Sequence, residues 1–306
     1  MLPELLERNE TEMDKLMIVV GVNENVMKSE NPNVPISAEE ISDDIAACVE
    51  AGASFFHFHT RDQTTGAGIM SDPEGTLEIY RAVRAKTDAV IYPSYIPVPR
   101  ENRFAHIHAA HADAVARPEF GPVIAGEMLM GPRPDWENRR LVGETTRTME
   151  DVMEEIEICN RYDLAISHDI FDPGQVRNVI ALWKMGYYER PCLLKFFFRP
   201  DDFALGGFPP EPRYLETYAG MIPEGLPCEW LALPYGGVPY DQSMALWTWA
   251  IENGGHVRVG IGDNPRQDGP DTNAARVKEM ADLAQSKGRA IATAAEVRER
   301  FARISY

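Results

Sequence analysis

Residues 55–62, Phe55-Phe56-His57-Phe58-His59-Thr60-Arg61-Asp62, decide how this chain is read. The run is apolar up to Thr60 apart from two histidines, and alternate residues of a strand point to one face. His57 and His59 therefore project together, while Phe56 and Phe58 project to the other side. Two imidazoles aimed at one point, followed by an Arg-Asp pair, suggest a divalent cation at the end of a buried strand.

Outward from this segment, strand-like and helix-like stretches alternate. Leu16–Val22 reads as a first strand and Ala53–Thr60 as the second. Between them, Ser37 and Glu40 form a capping-box signature for a helix running to about Glu50. Asp72-Pro73 opens another helix, with Asp as N-cap and Pro at the first helical position. Further strands are expected at Ala89–Ser94, Ala112–Ala116, Leu164–Phe171, Cys192–Phe198, Trp230–Leu233 and His256–Ile261. Helices are expected at Thr148–Arg161, Gly174–Met185, Gln242–Glu252, Thr272–Ser286 and Ala294–Ala302. Eight alternations in 306 residues point to an α/β TIM (β/α)8 barrel, a single domain over 1–306 with a short N-terminal extension. A doubly wound sheet is the competing architecture, but no Gly-rich phosphate fingerprint follows the first strand.

In a barrel, functional side chains gather at the C-terminal ends of the strands. That rule selects Glu24 and Asn25, then His57, His59 and Arg61, then Ser94. It also selects His168, Asp169 and Asp172, then Arg199, and finally Asp263 with Asn264. His168 and Asp169 are neighbours of opposite orientation, so at most one faces the barrel mouth. Arg258 stands in an apolar strand, where an unpaired charge is costly, and Asp263 is its expected partner. For Arg61 an architectural salt bridge is expected. His106, His108 and His111 look metallic at first sight, yet in a helix only His108 and His111 share a face. A surface helix between the third and fourth strands is the better reading.

Composition sets the outer bounds. With 44% hydrophobic and 25% charged residues, the chain can bury a sizeable core. A net charge of −18 argues against a general nucleic-acid binder, which needs a basic face. No apolar run approaches the ~18 residues of a membrane span. Met1–Lys15 lacks the basic-then-apolar order of a signal peptide. Cys48, Cys159, Cys192 and Cys228 are scattered without a CxxC, which suits reduced thiols in a cytoplasmic enzyme.

Three stretches carry a family resemblance. The first is Asn31-Pro32-Asn33-Val34-Pro35-Ile36-Ser37-Ala38-Glu39-Glu40-Ile41, followed by Glu50-Ala51-Gly52-Ala53 and the His57–Asp62 strand end. The second is Gly254-Gly255-His256-Val257-Arg258-Val259-Gly260 leading to Asp263-Asn264. The third is Gly288-Arg289-Ala290-Ile291-Ala292-Thr293 with Glu296-Val297-Arg298. On these motifs the chain resembles the β-keto acid cleavage enzymes, a family of zinc-dependent TIM barrels. The resemblance implies exchange of acyl groups between a β-keto acid and acetyl-CoA, giving acetoacetate and a new CoA thioester. It further implies zinc on His57 and His59, Asp263 as the base, Arg258 orienting that base, and Ser94 helping to hold the substrate. A homo-oligomer is expected on the same ground.

Two positions depart from the family pattern. The Glu that precedes the Asp of the eighth strand, a zinc ligand in the family, is here Gly262. The catalytic-site Thr after the Pro-Glu of the fourth strand is here Pro122. Catalytic zinc normally has three protein ligands. Glu24 is the first candidate for the third, with Glu127 and His168 as alternatives. The competing functions are a metal-dependent aldolase or lyase acting without CoA, and an inactive barrel that binds a small carboxylate.

Overall fold

The structure, a computed structural model, describes residues 14–94, 102–126, 129–130, 137–138, 144–145, 147–200, 207–266 and 268–303. In chain order the elements begin β1 (Ile18–Gly21), α1 (Ala38–Ala51), β2 (Phe55–Phe58), α2 (Pro73–Arg84), β3 (Val90–Pro93), α3 (Ala105–Ala112) and β4 (Phe120–Ile124). A two-stranded antiparallel ribbon follows, β5 (Leu129–Met130) with β6 (Glu144–Thr145). Next come α4 (Met149–Arg161), β7 (Ala165–Ile170), α5 (Pro173–Lys184), β8 (Cys192–Phe198) and α6 (Pro212–Gly220). The series closes with β9 (Cys228–Pro234), α7 (Tyr240–Glu252), β10 (His256–Val259), α8 (Asn273–Ser286) and α9 (Ala294–Arg300).

Eight of the strands form one parallel sheet in the order β3-β2-β1-β10-β9-β8-β7-β4. The sheet curls into the expected barrel, and β3 and β4 pack together at its seam. Among the described residues no hydrogen-bonded ladder joins those two strands. Pro93 in β3 and Pro122 in β4 explain this, because proline has no N–H to give and is confined to strand edges.

Strand alternation divides the core. Val19, Phe55, Val90, Tyr92, Phe120, Leu193 and Leu231 form one buried cluster inside the barrel. Phe301, just beyond α9, joins it with its ring 4.9 Å from Phe120, so the terminal helix closes the N-terminal end. Ile18, Val20, Phe56, Phe58 and Ile91 belong to the outer cluster, packed against the helices. The opposite orientation of the phenylalanines and the histidines in β2 follows from the same alternation.

The local signals for α1 and α2 act as anticipated. Ser37 and Glu40 make a reciprocal capping box, and Asp72 caps α2 with Pro73 at the first position. One strand was misplaced. Ala112–Ala116 is no strand, because α3 continues to Ala112 and Asp113 then folds the chain into a turn. The Asp113 carboxylate accepts from the N–H groups of Val115 and Ala116. The fourth barrel strand is Phe120-Gly121-Pro122-Val123-Ile124, where Gly and Pro mask the strand propensity of their neighbours.

Asp44 on α1 accepts from the Asn273 amide of α8 at 2.7 Å, and burial raises its carboxyl to about 6 against that hydrogen bond. A carboxyl raised on folding contributes stability that is intact below the unfolded value and lost as pH climbs through the folded one. Asp44→Asn is therefore expected to be more stable than the parent at pH 8, by up to about 3 kcal/mol, and to match the parent closely at pH 4. Thermal denaturation at the two pH values reads this directly.

Candidate active site

The mouth of the barrel is organised by the loop that follows β1. Asn23 docks it on the end of β2: its side-chain amide donates to the carbonyls of Pro35 and His59, and its oxygen accepts from the His59 N–H at 2.8 Å. Arg61 clamps the loop from the other side. Its guanidinium donates to the carbonyls of Glu24 (2.6 Å), Val26 (2.9 Å) and Gly66 (2.6 Å). The role of Arg61 is thus architectural, but through carbonyl oxygens rather than the salt bridge expected. Held in this way, Glu24 adopts φ +39°, a left-handed conformation that costs a non-glycine residue energy and recurs at functional sites.

The strained turn brings the Glu24 carboxylate against both histidines. His57 Nε2 lies 3.3 Å from Glu24 Oε1, and His59 Nε2 lies 2.9 Å from Oε2. One ligand atom from each of the three residues falls within 4.8 Å of the others, and all three residues are buried. The ligands of a tetrahedral ion with bonds of about 2.1 Å stand roughly 3.4 Å apart, so these spacings and this donor set fit a divalent cation. His59 Nδ1 faces Asn25 Oδ1 at 3.4 Å; a proton shared there leaves Nε2 free to bind metal. The His57 ring packs against Tyr92, 4.6 Å between centroids. Burial, aided by Arg258 and His59 against the pull of Glu24, holds the His57 imidazolium well below its usual range, which keeps the ring neutral as a ligand must be.

Arg258 of β10 reaches the same point. It donates Nε to Asp263 Oδ2 at 3.0 Å and Nη2 to Asp263 Oδ1 at 2.7 Å, and it also pairs with Glu24. The Arg258–Asp263 partnership expected from the sequence is therefore present. The two carboxylates around this guanidinium are driven apart. Burial would raise Glu24, but His59, His57 and Arg258 outweigh it and hold the group well below the carboxylate range. For Asp263 burial prevails over Arg258, with the Glu24 charge adding to the rise, to about 6. The same guanidinium thus faces one carboxylate held ionised and another raised towards neutrality.

Gly21 and Gly262 make room for this arrangement. A Cβ on Gly21 would collide with the Asp263 carboxylate, and one on Gly262 would lie 2.7 Å from the backbone of Asn23. The place where the resemblance would put a glutamate is thus filled by the β1 loop itself, and that loop carries Glu24. Gly21→Ala is expected to displace Asp263 and lower kcat by about 10²-fold with the metal content unchanged, measured on one preparation.

The remaining candidates separate clearly. Ser94, at the end of β3, shares strand parity with Tyr92, and its carbonyl lies 3.0 Å from His106 Nε2. His168 is no ligand: its ring is buried between the Val123 carbonyl and the Tyr188 hydroxyl. Asp169, its neighbour, turns inward to Lys195 at 2.6 Å. Asp172 caps α5, Asn264 donates to the Val238 carbonyl, and Arg199 lies over the Phe171 ring. His108 and His111 flank Tyr162 on the helix between β3 and β4, as anticipated. Glu127 falls outside the described residues. Sequence reasoning missed Lys195 and Tyr92, although a lone lysine in the apolar run of β8 is a signal of the same kind as Arg258.

A sequence profile of the beta-keto acid cleavage enzymes matches residues 15–302. The chain belongs to that family. Among individual relatives, the 3-keto-5-aminohexanoate cleavage enzyme of Acetoanaerobium sticklandii is 27% identical, covering 94% of this chain and 98% of its own length. The 3-oxoadipate:acetyl-CoA acetyltransferase of Cupriavidus necator is 25% identical over 89% of this chain and 88% of that protein. The apo structure of ObcA superposes with a TM-score of 0.67 at 17% identity, covering 88% of this chain and 65% of that one, which shows the shared barrel fold. Within the beta-keto acid cleavage family, this member combines the paired histidines with Gly262 and a neighbouring Glu24.

Proposed function

We propose that this protein transfers the acyl part of a β-keto acid to coenzyme A, using acetyl-CoA and releasing acetoacetate. One observation carries the reading: three ligand atoms from Glu24, His57 and His59 converge beside the Arg258–Asp263 pair. A zinc ion held by those three residues would polarise the substrate ketone and stabilise the negative charge developing on it.

The chain's own groups do the rest. Asp263, raised towards neutrality, takes a proton from the carbon between ketone and carboxylate. Arg258 fixes the orientation of that base through two parallel hydrogen bonds. Ser94 holds the substrate from the end of β3. The deprotonated carbon attacks the acetyl thioester, so a C–C bond forms as the C–S bond breaks. The freed thiolate attacks the original keto carbon, and the old C–C bond breaks. Acetoacetate leaves with the proton returned by Asp263, and the remaining acyl group leaves as a CoA thioester. All four cysteines are free thiols, which supports a cytoplasmic setting, and the family resemblance supports a homo-oligomer.

The test supplies zinc-replete protein with a panel of β-keto acids and acetyl-CoA. Acetoacetate and a new CoA thioester are expected in equal amounts. Cleavage of the keto acid that proceeds without acetyl-CoA would make the protein a lyase and end this reading.

A further inference from the structure

Lys195 is a fully buried cation that the chemistry above leaves unused. It stands in β8, an otherwise apolar strand, and is 1% exposed. In the ring of eight strands, β8 lies four places from β2, so Lys195 and the paired histidines occupy opposite walls of the mouth. Its ammonium lies 2.6 Å from Asp169 Oδ1 and donates to the Tyr92 hydroxyl at 3.2 Å. Burial works against its charge, yet Asp169 and Tyr92 more than offset this and raise it, so Lys195 remains an ammonium. Three N–H donors meet two acceptors, and among the described residues no third acceptor is supplied.

Tyr92 ties this pole to the other. Its hydroxyl lies 3.4 Å from Arg258 Nη1, and its ring packs on His57. Asp169 and Tyr92 therefore fix the ammonium in register with the Glu24–His57–His59 triad. A β-keto acid has two recognisable ends, a ketone oxygen and a carboxylate. The triad suits the ketone, while a desolvated ammonium with one open donor suits an anion.

We infer that Lys195 binds the carboxylate of the β-keto acid, with Asp169 and Tyr92 as positioning residues. This rests on the reading of the site as a β-keto acid exchange centre. The assignment identifies the substrate class by its charge: a free acid is held, whereas its ester is not.

The experiment compares acetoacetate with methyl acetoacetate, the same carbon chain with its charge masked, by titration calorimetry on zinc-loaded protein. The parent is expected to bind the acid about 10- to 100-fold more tightly than the ester, the size of one buried charge-assisted hydrogen bond. In Lys195→Met that preference is expected to vanish, with the KM for the keto acid raised by a similar factor and the KM for acetyl-CoA unchanged. Because Lys195→Met leaves the half-buried Asp169 without its cation, the double variant Lys195→Met/Asp169→Asn provides a neutral replacement of the pair. A preference for acid over ester that survives in a folded variant overturns the assignment while leaving the exchange reading intact. Failure of the parent itself to bind acetoacetate overturns both.

Discussion

Asp263→Asn is expected to retain the metal and lose turnover by about 10³- to 10⁴-fold, the upper range for removal of a general base. The substitution keeps the size of the side chain and one acceptor oxygen for Arg258, gives up the second of its two bonds, and leaves Glu24 to offset the guanidinium charge. It removes the group that takes the proton. Asp263 is 2% exposed and held by two hydrogen bonds from one guanidinium, a geometry that suits a base of fixed direction. Measurement of kcat beside metal content separates the alternatives. If metal were lost together with turnover, Asp263 would be a ligand and the proton acceptor would have to be sought elsewhere.

His57→Ala is expected to abolish both metal binding and turnover while the barrel remains folded. Two donors would remain, Glu24 and His59, against the three protein ligands usual at a catalytic zinc centre. The loss in affinity should exceed the roughly 10- to 100-fold that removal of an outer-shell partner costs. Folding should persist because the β2 ladder is made by backbone groups, with Phe55, Phe56 and Phe58 still buried. Full activity in the alanine variant would remove the triad from the mechanism.

Much of this site was legible before any fold was seen, and the reasons are physical. Period-two alternation put His57 and His59 on one face, and the cost of burying charge gave Arg258 a partner in Asp263. Glu24 was harder, since its placement depends on a left-handed residue that no propensity foretells. Arg61 and Asn23 create that conformation through hydrogen bonds to backbone groups remote in sequence. The fourth strand was hidden because Gly121 and Pro122 interrupt its pattern, while Ala112–Ala116 offered an apolar decoy broken by the Asp113 turn. Lys195 could have been found. A lysine between Leu194 and Phe196 carries the same cost of burial that made Arg258 conspicuous.

The departure at Gly262 has a structural answer as well. With the Asn23 backbone packed where a side chain would stand, the carboxylate beside the histidines comes from the end of β1. The mechanism proposed above requires this carboxylate and the two imidazoles to hold one ion. An anomalous-scattering map at the zinc edge, from crystals of metal-replete protein, tests it most directly. A single peak is expected about 2.0–2.2 Å from His57 Nε2, His59 Nε2 and a Glu24 carboxylate oxygen. A map without density there, with Glu24 still bridging the two rings, would contradict it.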